Sequence, residues 1–193
     1  SFLWNSIRRQ DKMTDKSREV LEFWFEELDP KQWFNSTEEL DQKIYKRFGE
    51  LHDAATKGEL DFWRITPEGS LAEIILLDQF SRNINRGKPG AFANDLAALV
   101  LAQEAIRKGF HSKLETFKRS FFYMPFMHSE SLLVHKKAVR LFNEPGMEDY
   151  FDYEIKHKNI IDQFGRYPHR NEILGRDSTA EEIEFLSQPG SSF

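Results

Sequence analysis

Three polar segments interrupt an otherwise apolar pattern, and each carries side chains able to bind an anion or move a proton. The first, LLDQFSRNINR (76–86), sets Asp78 and Arg82 one helical turn apart, with Gln79, Asn83 and Arg86 beside them. A carboxylate and a guanidinium spaced i, i+4 pair on one helix face. The second, HKNIIDQFGRYPHRN (157–171), crowds Arg166, His169, Arg170 and Asn171 into a turn after a helix. Two guanidinium forks beside an imidazole suit a carboxylate or phosphate gripped by two prongs. The third, RSFFYMPFMHSES (119–131), carries His128 and Glu130.

Two kinds of chemistry follow if these segments meet. One is binding. Asp78, Gln79, Arg82 and Asn83 would face Arg166, His169, Arg170 and Asn171, with His128 and Glu130 closing the side. Such a pocket takes a small anionic or zwitterionic metabolite or a peptide end. Asp78 and Glu130 would hold the forks or a ligand amine. The other is catalysis of a hydrolase or lyase type, with His128 or His169 as general base beside Glu130 or Asp78. No nucleophile and no third, orienting group is legible, so whether the chain is an enzyme stays open. Plainer readings stand beside both. Asp78 and Arg82 could be an ion pair that fixes packing. His157, on an apolar stripe, could be a satisfied core histidine. Ser129 and Glu130 could begin a helix as N-cap and first-turn acid.

The elements that must position these groups are helices. Val20, Leu21, Trp24, Phe25 and Leu28 form one stripe, predicting a helix over 17–28. Ser36 with Glu39 reads as a capping box for a helix running to about Gly58. Pro67 suits the first turn of a helix over about 68–83, apolar over most of its girth and therefore central. Asn94 or Asp95 caps a helix ending near Gly109, and another spans 112–123 up to a break at Pro125. Ser129 opens a helix to Phe142, a further one covers 147–164 up to Gly165, and Ser178 with Glu181 starts a short last one. Residues 1–12 read as an extension outside the helical domain, which then spans 13–193. The expected architecture is all-α: about eight helices in one domain, stacked as antiparallel pairs like tetratricopeptide repeats.

Bulk properties exclude several classes. The net charge of −5 is scattered, which argues against a nucleic-acid partner, since that needs a basic stripe. No Cys is present, so thiolate catalysis, disulfides and Cys-based zinc sites are ruled out. His and acid spacings match no metal signature, and no phosphate loop, dinucleotide fingerprint or nucleophile elbow occurs, so neither metal nor cofactor is expected. No apolar run approaches the roughly 20 residues of a membrane helix. A reducing, cytoplasmic setting without membrane association is the expectation. A protein partner held on a concave helical face, as in solenoids, remains an alternative use of the fold.

At the three polar segments the chain resembles a bacterial family, the Domain of Unknown Function 924 family. The matching runs are LDQFSRNI (77–84), FFYMPFMHSE (121–130) and FGRYPHRN (164–171), with PGSSF near the end. The resemblance covers about residue 17 onward and implies a tetratricopeptide-like helical fold, with no activity attached. Against the family pattern, Ser81 stands where Pro is common, Met127 where Glu is common and His135 where Gln is common. An acid at 127 is therefore unavailable here.

Overall fold

The apolar stripes close into helices wrapped around a central rod. A computed structural model describes residues 2–193, with backbone only for 9–15. Its α-helices are α1 (Phe2–Glu22), α2 (Glu38–Thr56), α3 (Pro67–Ile75), α4 (Ser81–Ile84), α5 (Asp95–Arg107), α6 (Thr116–Met127), α7 (Leu132–Phe142), α8 (Glu148–Phe164) and α9 (Ala180–Leu186). A π-helical turn, Leu76–Phe80, joins α3 to α4, so the two form one rod and the described residues hold eight rods in all. No strand occurs among them.

The rod α3–α4 is central for the reason its sequence gives. Every residue from 69 to 81 is buried, polar ones included. It meets α1, α2, α5 and α6, while α5 packs on α6, α6 on α7 and α7 on α8. Phe80 anchors this core, its ring 5.2 Å from Phe48, 5.6 Å from Trp24 and 6.0 Å from Phe23. Edge-to-face rings at such spacings add attraction beyond the area they bury. A second, smaller cluster forms near the end of the chain from Ile160, Ile161 and Tyr167, with Phe164 and Phe185 against it.

Several helix ends differ from expectation, mostly by one hydroxyl. Thr37, not Ser36, caps α2 by accepting from the Leu40 amide at 3.1 Å, which frees Ser36 to donate to Asp41. Ser131, not Ser129, caps α7. Thr179 with Glu182, not Ser178 with Glu181, makes the last capping box. Where two such residues are adjacent, composition cannot say which takes the cap. Pro125 lies inside the last turn of α6 rather than ending the helix before it, a place where its missing N–H forfeits a single ladder bond. The helix expected from residue 17 is continuous from Phe2, and it carries exposed Phe2, Leu3, Trp4 and Ile7 in the stretch read as an extension.

Candidate functional site

The π turn is where chemistry enters the core. Within it the chain winds wider than an α-helix, a geometry common at functional sites, and it carries Asp78, only 1 % exposed. Three groups reach that carboxylate. His128 Nδ1 is 2.7 Å from Oδ1, Gln79 donates from Nε2 at 3.1 Å, and Arg82 donates at 3.4 Å. Burial opposes the charge, but the fields of His128 and Arg82 and the His128 hydrogen bond outweigh it, holding the carboxyl below its usual range. Burial and then Arg82 push the His128 imidazole down. Asp78 and His128 thus share a short hydrogen bond inside the core, through Nδ1 of the ring.

Arg82 turns most of its fork elsewhere. It grips Asp95, at the start of α5, through two bonds of 2.8 and 3.0 Å. Burial disfavours the Arg82 charge, yet Asp95 and Asp78 more than restore it, and its pKa is raised. Arg170 has no such counterpart. It is 6 % exposed, with its guanidinium carbon 4.5 Å from the centre of the Phe92 ring and 4.6 Å from that of Tyr167. One nitrogen donates to the His128 carbonyl at 3.0 Å, another stands 3.6 Å from Asp95, and Nε has no partner. Burial, and after it the Arg82 charge, draws the Arg170 pKa below its ordinary value. A guanidinium offers five donors. This one is buried, charged and short of acceptors.

Arg82, Arg170, His128 and His169 all line a cavity of about 390 Å³, along with Gln79 and Asn83. The cavity lies at the seam between the two apolar clusters, with Met124 and Met127 on one side and Tyr167 on the other. Trp33, Phe34, Tyr150 and Phe193 complete mostly aromatic walls, and among the described residues lining it there is no Asp or Glu. Its size falls in the range that holds small organic molecules. Burial first, and Arg170 next, pushes His169 down to about 4, and its Nδ1 is buried without a partner. Burial takes His157 down to about 3, against the raising effect of a 2.6 Å contact between its Nδ1 and the Tyr153 carbonyl. Both rings are uncharged at neutral pH.

The sequence-derived set thus divides. Asp78, Gln79, Arg82, Asn83, His128, His169 and Arg170 come together, with Asp78 behind the wall as the group that orients His128 and Gln79. Asn83 is tied to Asp41 at 2.9 Å and to Ser36. Arg166, Asn171 and Glu130 do not line the cavity. Arg166 grips Glu182 with bonds of 2.9 and 2.8 Å, and Asn171 donates to Ser178 and Glu182. Glu130 accepts from the Tyr167 amide at 2.7 Å and from both prongs of Arg176. The reason is turn geometry: Arg166 and Asn171, at the two ends of the turn, point to one side, while Tyr167, His169 and Arg170 point to the other. One set fastens the turn to α9 and the other faces the cavity. His157 is both core histidine and cavity wall.

Sequence reading missed Asp95, Phe92, Tyr167 and Arg176. Asp95 sits in the first turn of α5, where an acid is ordinary, and only the Arg82 fork marks it as different. Among the described residues, no group of three or more His, Asp or Glu is gathered as a metal site, and no helix is long and apolar enough to cross a membrane.

Comparison with known proteins agrees with this architecture. A solved structure described as a protein of unknown function, ATU0120 from Agrobacterium tumefaciens, matches with a TM-score of 0.85 and 38% identity, over 89% of this chain and 97% of that one. No curated protein matches the chain. The family model described as a bacterial protein of unknown function (DUF924) matches residues 20–190, nearly the whole described chain, and the protein belongs to that family.

Proposed function

We propose that the protein binds a small organic anion, a carboxylate before all, in the aromatic-walled cavity, with Arg170 as the receiving cation. One observation carries this reading: Arg170 is buried at the cavity, holds its charge against burial, and makes a single hydrogen bond. A buried charge without adequate partners is costly. A carboxylate supplies the missing acceptors and adds to the single, 3.6 Å counter-charge of Asp95. The absence of Asp and Glu from the described lining favours an anion over a zwitterion, because no wall residue would receive an ammonium group.

A thermal-shift screen of carboxylates, amino acids and phosphates against the wild type and Arg170→Met tests this. A ligand at about 100 times its Kd adds ~2.7 kcal/mol, which for a chain of this size raises Tm by roughly 5–10 °C. The expected pattern is a carboxylate that shifts the wild type and leaves Arg170→Met unmoved. If no compound shifts the wild type and Arg170→Met simply unfolds, Arg170 is an internal strut and the reading is wrong.

A second reading rests on the 2.7 Å contact between His128 Nδ1 and Asp78. An acid that orients an imidazole through Nδ1 leaves Nε2 with a lone pair, the arrangement of a general base. Under this reading a water beside the bound anion loses a proton to His128 Nε2. His128→Gln would then abolish turnover while leaving ligand affinity near that of the wild type. The partner-scaffold alternative has no comparable observation behind it.

A further inference from the structure

We infer that the Phe193 ring is a displaceable occupant of a ring subsite on His157, and that the anions this cavity takes are aromatic carboxylates. The inference rests on the anion-binding reading above and names the rest of the ligand. Phe193 stacks on the His157 imidazole with ring centres 3.9 Å apart and planes 24° apart. It meets His169 at 5.3 Å and Tyr167 at 6.1 Å, both nearly edge-on. Three rings thus form a slot, and a fourth ring already sits in it.

The slot is fixed and its occupant is not. His157 is 7 % exposed and held through Nδ1 to the Tyr153 carbonyl, and the Tyr167 hydroxyl donates to the Met127 carbonyl at 2.6 Å. Phe193 is 56 % exposed. The last side-chain hydrogen bond before it is from Ser191 Oγ to the Leu186 carbonyl at 3.2 Å. Beyond that bond, ring contacts hold Phe193 to the wall. A ligand ring entering the slot takes over the same face-to-face contact, and Phe193 gives up a position in which half its surface was already wet.

The slot selects for rings over charges. With His157 and His169 uncharged at neutral pH, their faces attract aromatic edges and faces and offer an anion little. The anion goes to Arg170, which lines the same cavity. Tyr167 neighbours both ends, its ring 4.6 Å from that guanidinium and 6.1 Å from the Phe193 ring. A ligand ring joined to a carboxylate by a linker lies along Tyr167 and satisfies both ends.

Titration calorimetry of the wild type and Phe193→Ala with phenylacetate, cyclohexylacetate and acetate tests this directly. Circular dichroism and Tm first establish that the variant is folded, as expected for a half-exposed side chain. Removing an internal competitor raises apparent affinity by the inverse of the fraction of time the slot was free. Phenylacetate should therefore bind Phe193→Ala about fivefold more tightly than the wild type, taking a stack of ordinary strength. Acetate, which leaves the slot empty, should gain less than twofold, and cyclohexylacetate, whose ring cannot stack, should bind both proteins more weakly than phenylacetate. If Phe193→Ala binds phenylacetate equally or more weakly, the ring is a wall and no ligand replaces it, while Arg170-dependent binding of the acids still upholds the anion reading. If all three acids gain alike, the slot has no preference for rings and the inference fails. If none binds either protein, the anion reading fails and takes this inference with it.

Discussion

Two ion pairs with the same shape and different surroundings offer a clean test of what holds the site. Arg82 grips Asp95 with bonds of 2.8 and 3.0 Å, the side chains being 19% and 16% exposed. Arg47 grips Glu27 with bonds of 2.6 and 2.9 Å, at 36% and 42% exposed. Burial is the main difference between them, with a second acid, Asp78, beside Arg82 and the Phe23 and Phe48 rings beside Arg47. Asp95→Asn leaves Arg82 with Asp78 alone and removes the carboxylate that stands 3.6 Å from Arg170. Breaking a buried pair from one side costs about 3–5 kcal/mol, and the lower end applies here because Asp95 keeps some water and Asn still accepts one bond. Glu27→Gln, screened by solvent, should cost no more than about 0.5 kcal/mol. At roughly 2–4 °C per kcal/mol for a chain of this size, the Tm losses are about 6–12 °C and about 1–2 °C. Thermal melts give these losses and urea unfolding at neutral pH gives the free energies, with unchanged slopes showing that the unfolded states are comparable. Equal, small losses would refute the claim that the Arg82, Asp95 and Arg170 group is a low-dielectric unit.

Stability should also fall with acid in a defined window. His157 and His169 titrate at about 3 and about 4 in the folded chain, below the ~6.5 of an unfolded one, so in between the unfolded chain binds more protons. Their contribution is complete above pH ~6.5 and is lost as pH drops towards 4, by up to ~1.4 kcal/mol per pH unit for each ring. Urea midpoints between pH 7 and 4.5 should show this slope, and His169→Asn should reduce it by about half; a level wild-type profile would contradict the assignment. In the core, Phe80→Ala deletes a fully buried ring touching three others and should cost about 4 kcal/mol by the same assay. Gly165 ends α8 at φ 73°, so Gly165→Ala should cost about 1 kcal/mol even though the space beside it is open, and a neutral effect would contradict the strain argument.

Much of the architecture was legible because it is local. The stripe of Val20, Leu21 and Trp24, the girth of apolar residues around Ile74 and Ile75, and the stop at Gly165 follow from the period of a helix and the backbone freedom of glycine. The Asp78 and Arg82 pairing was legible for the same reason, since it needs only one turn of a buried helix. What sequence could not show is which side of a turn a residue faces. Arg166 and Arg170 look alike in FGRYPHRN, yet one is fastened to Glu182 and the other faces the cavity. Asp95 was hidden differently. Its role depends on an Arg82 fork arriving from another helix, and a first-turn acid carries no mark of that. The aromatic walls were equally opaque, because Tyr167 and Phe193 become neighbours of Arg170 and His157 only once the seam between the two clusters closes.

The most direct test observes Arg170 itself. In a 15N-labelled sample, the Arg170 Nε–H resonance, assigned by its disappearance in Arg170→Lys, can be followed while phenylacetate is added. The account predicts a saturable downfield shift of that proton, as an unpartnered donor gains a carboxylate acceptor. A resonance that stays in place while the ligand binds, or moves no more than those of Arg47 and Arg64, would contradict the claim that this buried guanidinium receives the anion.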